Sequence, residues 1–197
     1  MSKGERTKER LLRHGLELVS KDGLSQVSLG DLAKRAKLSK SGVFAHFGSA
    51  EGLQLELLDA AADLVQQDVL EPAMQAPPGL PRLRRFFDRL LGWTTCSGLP
   101  GGCPFVAAST EFDDVEGAVR DYLVAALEDW TDLFYMFIRE AVEAGQLDPN
   151  VDAKAFAWQL FGLYTMHHTM QRLMNDADAD RIALDGLEAL IKRAQPE

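Results

Sequence analysis

The histidines, cysteines and clustered acids of this 197-residue chain are the side chains with which a protein could hold a metal, sense oxidants or transfer protons. His167 and His168 are adjacent in the sequence. Neighbouring positions on a regular helix point about 100° apart, so the two rings do not easily face one ion. No third ligand follows at a useful helical spacing. We therefore expect neither a metal site nor a cofactor.

Two cysteines occur, Cys96 and Cys103, on either side of a turn rich in glycine and proline. Two cysteines do not make a disulfide framework, and a reducing cytoplasm is the simplest compartment for them. Free thiols in a core are the commoner use of such residues. The two side chains could approach each other across the turn, so a thiol-based redox-sensing regulator stays open as an alternative.

The acids that lie nearest to one another are Glu111, Asp113, Asp114 and Glu116. Acidic side chains favour the first turn of a helix, which explains this cluster more simply than a catalytic carboxylate pair does. The sequence contains no nucleophile elbow and no phosphate-binding loop. We therefore predict that the chain is not an enzyme. A helical small-molecule-binding protein or enzyme, with an incidentally basic N-terminus, is the rival interpretation.

The composition is that of a globular chain long enough to bury a core without metals or disulfides. Hydrophobic residues make up 46% of the sequence and charged residues 26%. No stretch approaches the roughly 18 uninterrupted apolar residues of a membrane span. The charged N-terminus lacks the apolar segment of a signal peptide. We expect a cytoplasmic protein with no membrane partner.

The net charge of −9 hides an asymmetry along the chain. Residues 1–50 hold ten Lys and Arg but five Asp and Glu, which gives +5. The remaining residues hold 11 basic and 25 acidic side chains, which gives −14. A basic part beside an acidic remainder indicates that the basic part meets nucleic acid or an anionic surface. A solvated helix face is the alternative, and the organisation of the segment must decide between them.

Helical spacing of apolar residues, with no sustained alternation, predicts an all-α protein of about nine helices. Serines suited to capping precede three of the N-terminal helices. The expected helices are Glu5–Lys21, Ser28–Ala36, Ser39–Phe47, Ala50–Val69, Leu83–Thr95, Phe105–Glu111, Val115–Ala144, Asp152–Met174 and Asp178–Arg193. Either Asp113 or Asp114 is expected to cap the long seventh helix.

The second and third helices are short and are separated by a three-residue turn, Lys37-Leu38-Ser39. This order is a helix-turn-helix, whose second helix can enter the major groove of DNA. In that helix Val43 and Phe47 are four residues apart and can pack inward. The positions left facing outward, near the helix N-terminus, are Lys40, Ser41 and Phe44.

The segment from Ser28 to Leu53 resembles the DNA-binding domain of tetracycline-repressor-like (TetR family) transcriptional regulators. The resemblance rests on the order and spacing of the runs SLGDLAKRA, LSKSGVFAHF and EGL. It implies a cytoplasmic, all-helical homodimer whose larger C-terminal domain binds a small molecule that releases the operator. Carried onto this chain, it implies DNA contacts by Ser28, Ser39, Lys40, Ser41, Gly42, Phe44 and His46.

The sequence departs from the pattern of that family at three positions. Phe44 stands where a tyrosine is common, and Ala50 stands where a lysine often opens the fourth helix. Lys37 stands in the turn where a glycine is common. The first two departures remove a hydroxyl and a cation that could contact phosphates.

The part after residue 47 is dense in aromatic and methionine side chains, which fits either an ordinary helical core or an apolar pocket between helices. We predict that residues 1–47 bind DNA and that residues 48–197 bind a ligand and dimerise. Walls with large area and few charges indicate a small hydrophobic effector. The predicted pocket residues are Phe86, Trp93, Phe105, Trp130, Phe134, Tyr164 and His167.

The last two helices carry more apolar residues than one face needs, so pairing with a second copy would cover them. The residues concerned are Trp158, Leu160, Phe161, Leu163, Leu187, Leu190 and Ile191. The sequence therefore predicts a ligand-responsive repressor that binds a palindromic operator as a dimer. Its expected partners are double-stranded operator DNA, a small hydrophobic effector and a second copy; an activator of the same class stays open.

Overall fold

Capping side chains set where several helices of the chain begin. The computed structural model describes residues 2–196, and within them the chain forms nine helices of eight or more residues, two shorter helical segments and no strand. The prediction of an all-α protein is confirmed. The helices are α1 (Lys3–Asp22), α2 (Leu29–Ala36), α3 (Lys40–Phe47), α4 (Ala50–Val65), α5 (Leu80–Cys96), α6 (Pro104–Glu111), α7 (Ala118–Glu143), α8 (Ala153–Arg172) and α9 (Ala179–Arg193).

The caps are local hydrogen bonds to backbone N–H groups that have no partner inside the helix. Ser28 Oγ accepts from the N–H of Asp31 at 3.2 Å, and Ser39 Oγ accepts from the N–H of Gly42 at 3.1 Å. Asp152 caps α8 in the same way. The helix starts that these residues predict are therefore found in the structure.

Several of the predicted helix boundaries are wrong. Helix α5 begins at Leu80 rather than Leu83, and α8 ends at Arg172 rather than Met174. The α-helical part of α4 ends at Val65 rather than Val69, and the chain continues as a π-helical segment, Gln66–Leu70, and a last turn, Glu71–Met74. Helix α7 begins at Ala118, so neither Asp113 nor Asp114 caps it. Asp113 Oδ1 instead accepts from the N–H of Asp114 within the turn that precedes the helix.

The chain folds into two compact units that do not coincide with simple halves of the sequence. Residues up to Leu64, together with Thr94–Ala125, form the first unit. Val65–Trp93, together with the residues from Ala126 onward, form the second. The predicted boundary after residue 47 separates functions rather than packing units, and it stays a prediction.

The core of the first unit is aliphatic and holds α1, α2 and α3 together. Leu11, Leu32 and Val43 are fully buried there. Gly15 lets α1 approach α4, because a Cβ at that position would lie 2.4 Å from a methyl group of Leu57. Two ion pairs link these helices at the surface. Lys8 of α1 pairs with Glu56 of α4 at 2.6 Å, and Arg35 of α2 pairs with Glu17 of α1 at 2.5 Å.

The core of the second unit is aromatic. The ring centroid of Phe86 lies 5.8 Å from that of Phe134 and 5.4 Å from that of Phe137. The centroid of Phe134 also lies 5.1 Å from that of Phe161, edge to face.

No helix among the described residues combines the length and the apolar character needed to cross a membrane.

Candidate nucleic-acid interface and ligand pocket

The turn between α2 and α3 is fixed by backbone hydrogen bonds at the end of α2. Lys37 adopts the left-handed conformation, with φ 56° and ψ 44°. The N–H of Leu38 donates to the carbonyl oxygen of Ala33 at 3.0 Å, which closes the helix end. The chain then reaches Ser39, which caps α3.

Helix α3 has one buried and one exposed face. Val43 and Phe47 are buried, as their four-residue spacing predicts. Lys40, Ser41 and Phe44 are exposed. The helix therefore carries an ammonium group, a hydroxyl group and a phenyl ring on the face that is free to meet another molecule.

The other predicted DNA-binding residues lie around this face. Ser39 Oγ is 3.2 Å from Ser41 Oγ, and a Cβ at Gly42 would lie 3.1 Å from Ser39 Oγ, so the first turn of α3 is tight. His46 is half-buried, with its ring centroid 6.2 Å from that of Phe47. Ser28 is exposed at the start of α2. Contact between these residues and DNA stays a prediction.

A basic face on α1 adds to the charge of the first unit. Lys3, Arg6, Thr7 and Arg10 line a shallow depression of about 530 Å³. The spacing of three and four residues between the basic positions places them on one side of the helix. That spacing is visible in the sequence and could have identified them.

Helix α6 forms hydrogen bonds with the loop that follows α1. The sequence did not predict this contact. The carboxylate of Glu111 accepts from the N–H of Leu24 at 3.3 Å and from the N–H of Ser25 at 2.7 Å. Gly23 has φ 88°, and a Cβ there would lie 2.3 Å from Glu111 Oε1. The N–H of Gly102 also donates to the carbonyl oxygen of Ser20 at 2.7 Å.

Six of the seven predicted pocket residues are buried, and Trp130 is half-buried. In the second unit the indole N–H of Trp93 donates to the hydroxyl oxygen of Tyr164 at 2.9 Å. Phe86 and Phe134 contact one another directly. Phe105 is buried in the first unit. The packing of these rings is also what a helical core requires, and the pocket stays a proposal.

An open apolar groove of about 660 Å³ lies between α8 and α9. Of the predicted pocket residues, His167 lines this groove. Its Nε2 is 2.6 Å from Asp180 Oδ1. Burial, followed by the charges of Arg172 and His167, lowers the pKa of the neighbouring His168.

The surface around this groove corrects the prediction about apolar residues of the last two helices. Leu160, Leu187, Leu190 and Ile191 are buried within the second unit itself, because α8 and α9 pack against each other and against the core. Trp158, by contrast, is 77% exposed. Further exposed apolar side chains on or beside the same helices are Met166, Leu173, Met174 and Ile182.

The residues considered for metal and redox chemistry are placed as follows. Within residues 2–196, no group of three or more His, Cys, Asp or Glu side chains could hold a metal ion. Neither Cys96 nor Cys103 forms a disulfide; Cys96 is exposed and Cys103 is buried.

A helix-turn-helix with an exposed recognition helix, followed by further helices, is typical of DNA-binding transcriptional regulators. The model of "Bacterial regulatory proteins, tetR family" matches residues 11–57. The model of "Tetracyclin repressor-like, C-terminal domain" matches residues 79–187. The chain belongs to the TetR family of transcriptional regulators, which are not enzymes.

The chain is also similar to a curated transcriptional regulator in sequence and to solved structures in fold. The transcriptional regulator AcuR of Cereibacter sphaeroides is 29% identical over 156 residues, which cover 75% of this chain and 70% of AcuR. A TetR transcriptional regulator from Chloroflexus aurantiacus has the same fold, with a TM-score of 0.89, 24% identity and 98% of each chain covered. AibR, solved with isovaleryl coenzyme A and operator DNA, matches at a TM-score of 0.74 and 18% identity, over 96% of this chain and 98% of AibR.

Proposed function

We propose that this regulator is a ligand-responsive repressor that binds a palindromic operator as a homodimer and is released by a small hydrophobic effector. The observation that carries the proposal is the exposed face of α3, where Lys40, Ser41 and Phe44 stand clear of the core. The charge of +5 over residues 1–50, against −14 for the rest, directs phosphates to that end of the chain.

The proposed effector site lies among the aromatic side chains of the second unit. Phe86, Trp93, Phe134 and Tyr164 offer a large apolar area, and the Trp93–Tyr164 hydrogen bond supplies a polar group. The effector is therefore expected to be largely apolar. Because AibR was solved with isovaleryl coenzyme A, acyl thioesters belong in the first panel of compounds to be tested.

The protein has one conformation that binds the operator and another that does not. Release of DNA requires that the effector has a higher affinity for the second conformation than for the first. Helix α4 starts at Ala50, so only Gly48 and Ser49 separate it from α3. A link of two residues transmits a rotation of α4 to the recognition helix. We propose that the effector acts through this link.

The experiment that tests the proposal is DNA binding by a Lys40→Ala variant. A good contact from Lys to a base edge is worth about 1–3 kcal/mol, and a homodimer loses one in each half-site, so operator affinity should fall by at least about thirtyfold. The affinity of the wild-type protein for DNA should also fall steeply as the salt concentration rises. Binding releases cations that are condensed on the DNA, and this release is less favourable at high salt. The measurement is a fluorescence-anisotropy titration of a duplex that carries the promoter region upstream of the gene encoding this protein.

The matched control is Arg85→Ala, which removes an exposed cation from α5 and should leave the affinity unchanged. Equal affinity of the wild-type protein for promoter and random duplexes at physiological salt would contradict the proposal.

A further inference from the structure

Phe44 is the large apolar residue of the recognition helix that is exposed. The other two large apolar side chains of α3, Val43 and Phe47, are buried in the first unit. Phe44 is 54% exposed, although it lies between them and belongs to a helix of only eight residues. Packing of the free protein therefore does not account for a phenyl ring at this position.

The chemistry of a phenyl ring limits what it can recognise in a DNA groove. It has no donor or acceptor, so it can form a conventional hydrogen bond neither to a phosphate oxygen nor to a base edge. The apolar group that the major groove displays is the 5-methyl group of thymine. Cytosine carries a hydrogen atom at the same position, so an apolar side chain there separates thymine from cytosine.

The neighbours of Phe44 divide the exposed face of α3 into two parts. Lys40 and Ser41 lie one turn earlier and supply an ammonium group and a hydroxyl group. Ala45 follows Phe44, is exposed, and extends the apolar surface with its methyl group. The first turn therefore offers donors for bases or phosphates, while Phe44 and Ala45 in the second turn offer an apolar surface beside the half-buried His46.

We propose that Phe44 is a specificity-determining residue that reads a thymine in each operator half-site through its 5-methyl group. This inference rests on the proposed function, because it requires that α3 enters the major groove of an operator. It goes further in assigning a base and a chemical group to one side chain.

The experiment begins with the operator half-site, which is found by selection from random duplexes with the full-length wild-type protein. Each thymine of the half-site is then replaced in turn by deoxyuridine, which removes only the methyl group. One replacement should weaken wild-type binding by about fourfold, or roughly fifteenfold when made in both half-sites, since one buried methyl group has about that effect. The same replacement should leave binding by Phe44→Ala unchanged.

Two further comparisons separate a methyl contact from a general loss of fit. Replacing that thymine pair by a cytosine pair should weaken wild-type binding, and 5-methylcytosine at the same position should restore part of the affinity. Phe44→Tyr keeps the ring and should keep the sensitivity to deoxyuridine. Met74→Ala, which truncates an exposed apolar side chain outside the first unit, should behave as wild type throughout.

The outcomes distinguish this inference from the proposed function. Failure of the wild-type protein to select any duplex would overturn both. Selection of a half-site in which every deoxyuridine replacement affects wild type and Phe44→Ala equally would overturn the role of Phe44 alone. Should Phe44→Ala fail to fold, the same comparison is made between wild type and Phe44→Leu, for which the effect of the methyl group should shrink.

Discussion

Lys37 holds the turn of the helix-turn-helix in a conformation that glycine adopts more easily. Its φ of 56° places it in the left-handed region, where the Cβ of any residue but glycine approaches the following carbonyl group. The backbone bond from Leu38 to Ala33 maintains this geometry. The position of a lysine where the family commonly has a glycine is thus a source of strain in the DNA-binding unit.

We predict that Lys37→Gly raises the free energy of unfolding by about 0.5–1 kcal/mol. Relief of about 1–2 kcal/mol of left-handed strain is partly offset by the greater freedom of glycine in the unfolded chain. Urea denaturation followed by circular dichroism measures the change. Lys37→Ala is the matched control, because it removes the same charge but keeps the Cβ, and it should show no such gain. A gain of equal size in both variants would assign the effect to charge instead.

The residue-scale features that the sequence predicted are those whose partners lie close along the chain. Ser28 and Ser39 cap helices through N–H groups only three residues ahead, so spacing alone identifies them. The inward packing of Val43 and Phe47 likewise follows from helical periodicity. Interactions that depend on distant segments left no comparable pattern.

At the scale of elements, the loop after α1 depends on α6, a helix more than 75 residues further along the chain. Glu111 offers two carboxylate oxygens to two backbone N–H groups of this loop, at Leu24 and Ser25. Gly23 leaves room for that carboxylate. The loop leads directly into α2, so α6 fixes one end of the helix-turn-helix.

We predict that Glu111→Gln lowers the free energy of unfolding by about 1–2 kcal/mol. Glutamine has one acceptor oxygen, and its NH₂ group faces the second N–H donor, so one backbone group loses its partner. Amide hydrogen exchange at Leu24 and Ser25 should accelerate together with the loss of stability. The control is Asp113→Asn, a similar change at an exposed carboxylate that accepts a hydrogen bond from the N–H of the next residue. Unchanged exchange at both amides in Glu111→Gln would show that the carboxylate does not hold the loop.

The sequence predicted the helices of the chain but not this connection between them. Glu111 stands beside Asp113 and Asp114, and all three together fit the acidic first turn of a helix. That interpretation fails because Glu111 pairs with Leu24 and Ser25, which lie 87 and 86 positions before it in the chain. No local spacing encodes such a pairing. The π-helical segment Gln66–Leu70 escaped prediction for a different reason, because the spacing of its apolar residues continues that of α4.

At the scale of the whole molecule, the groove between α8 and α9 is the surface that a second copy is proposed to cover. It is lined mainly by apolar side chains, and Trp158 projects beside it. Gly186 lets the two helices approach, because a Cβ there would lie 2.7 Å from Leu163. A stable dimer buries about 800 Å² on each partner. The exposed aromatic and methionine side chains here suit the centre of such an interface.

We predict that the double variant Trp158→Glu and Met166→Glu is a monomer at micromolar concentration, while the wild-type chain is a dimer. Four carboxylates brought together in an apolar interface would be buried without partners, which costs more than the contacts contribute. Sedimentation velocity measures the change. Because a monomer reaches only one half-site, the variant should also lose its preference for a palindromic operator over a single half-site.

The double variant Val124→Glu and Leu127→Glu is the matched control, because it places the same two charges on exposed apolar positions of α7. Dissociation by this control, with a dimer retained in the α8 variant, would move the interface to α7 and leave the operator geometry intact. A wild-type chain that sediments as a monomer would have a wider consequence. Each half-site would then be bound independently, and neither a palindromic operator nor release through coupled recognition helices would follow from the fold.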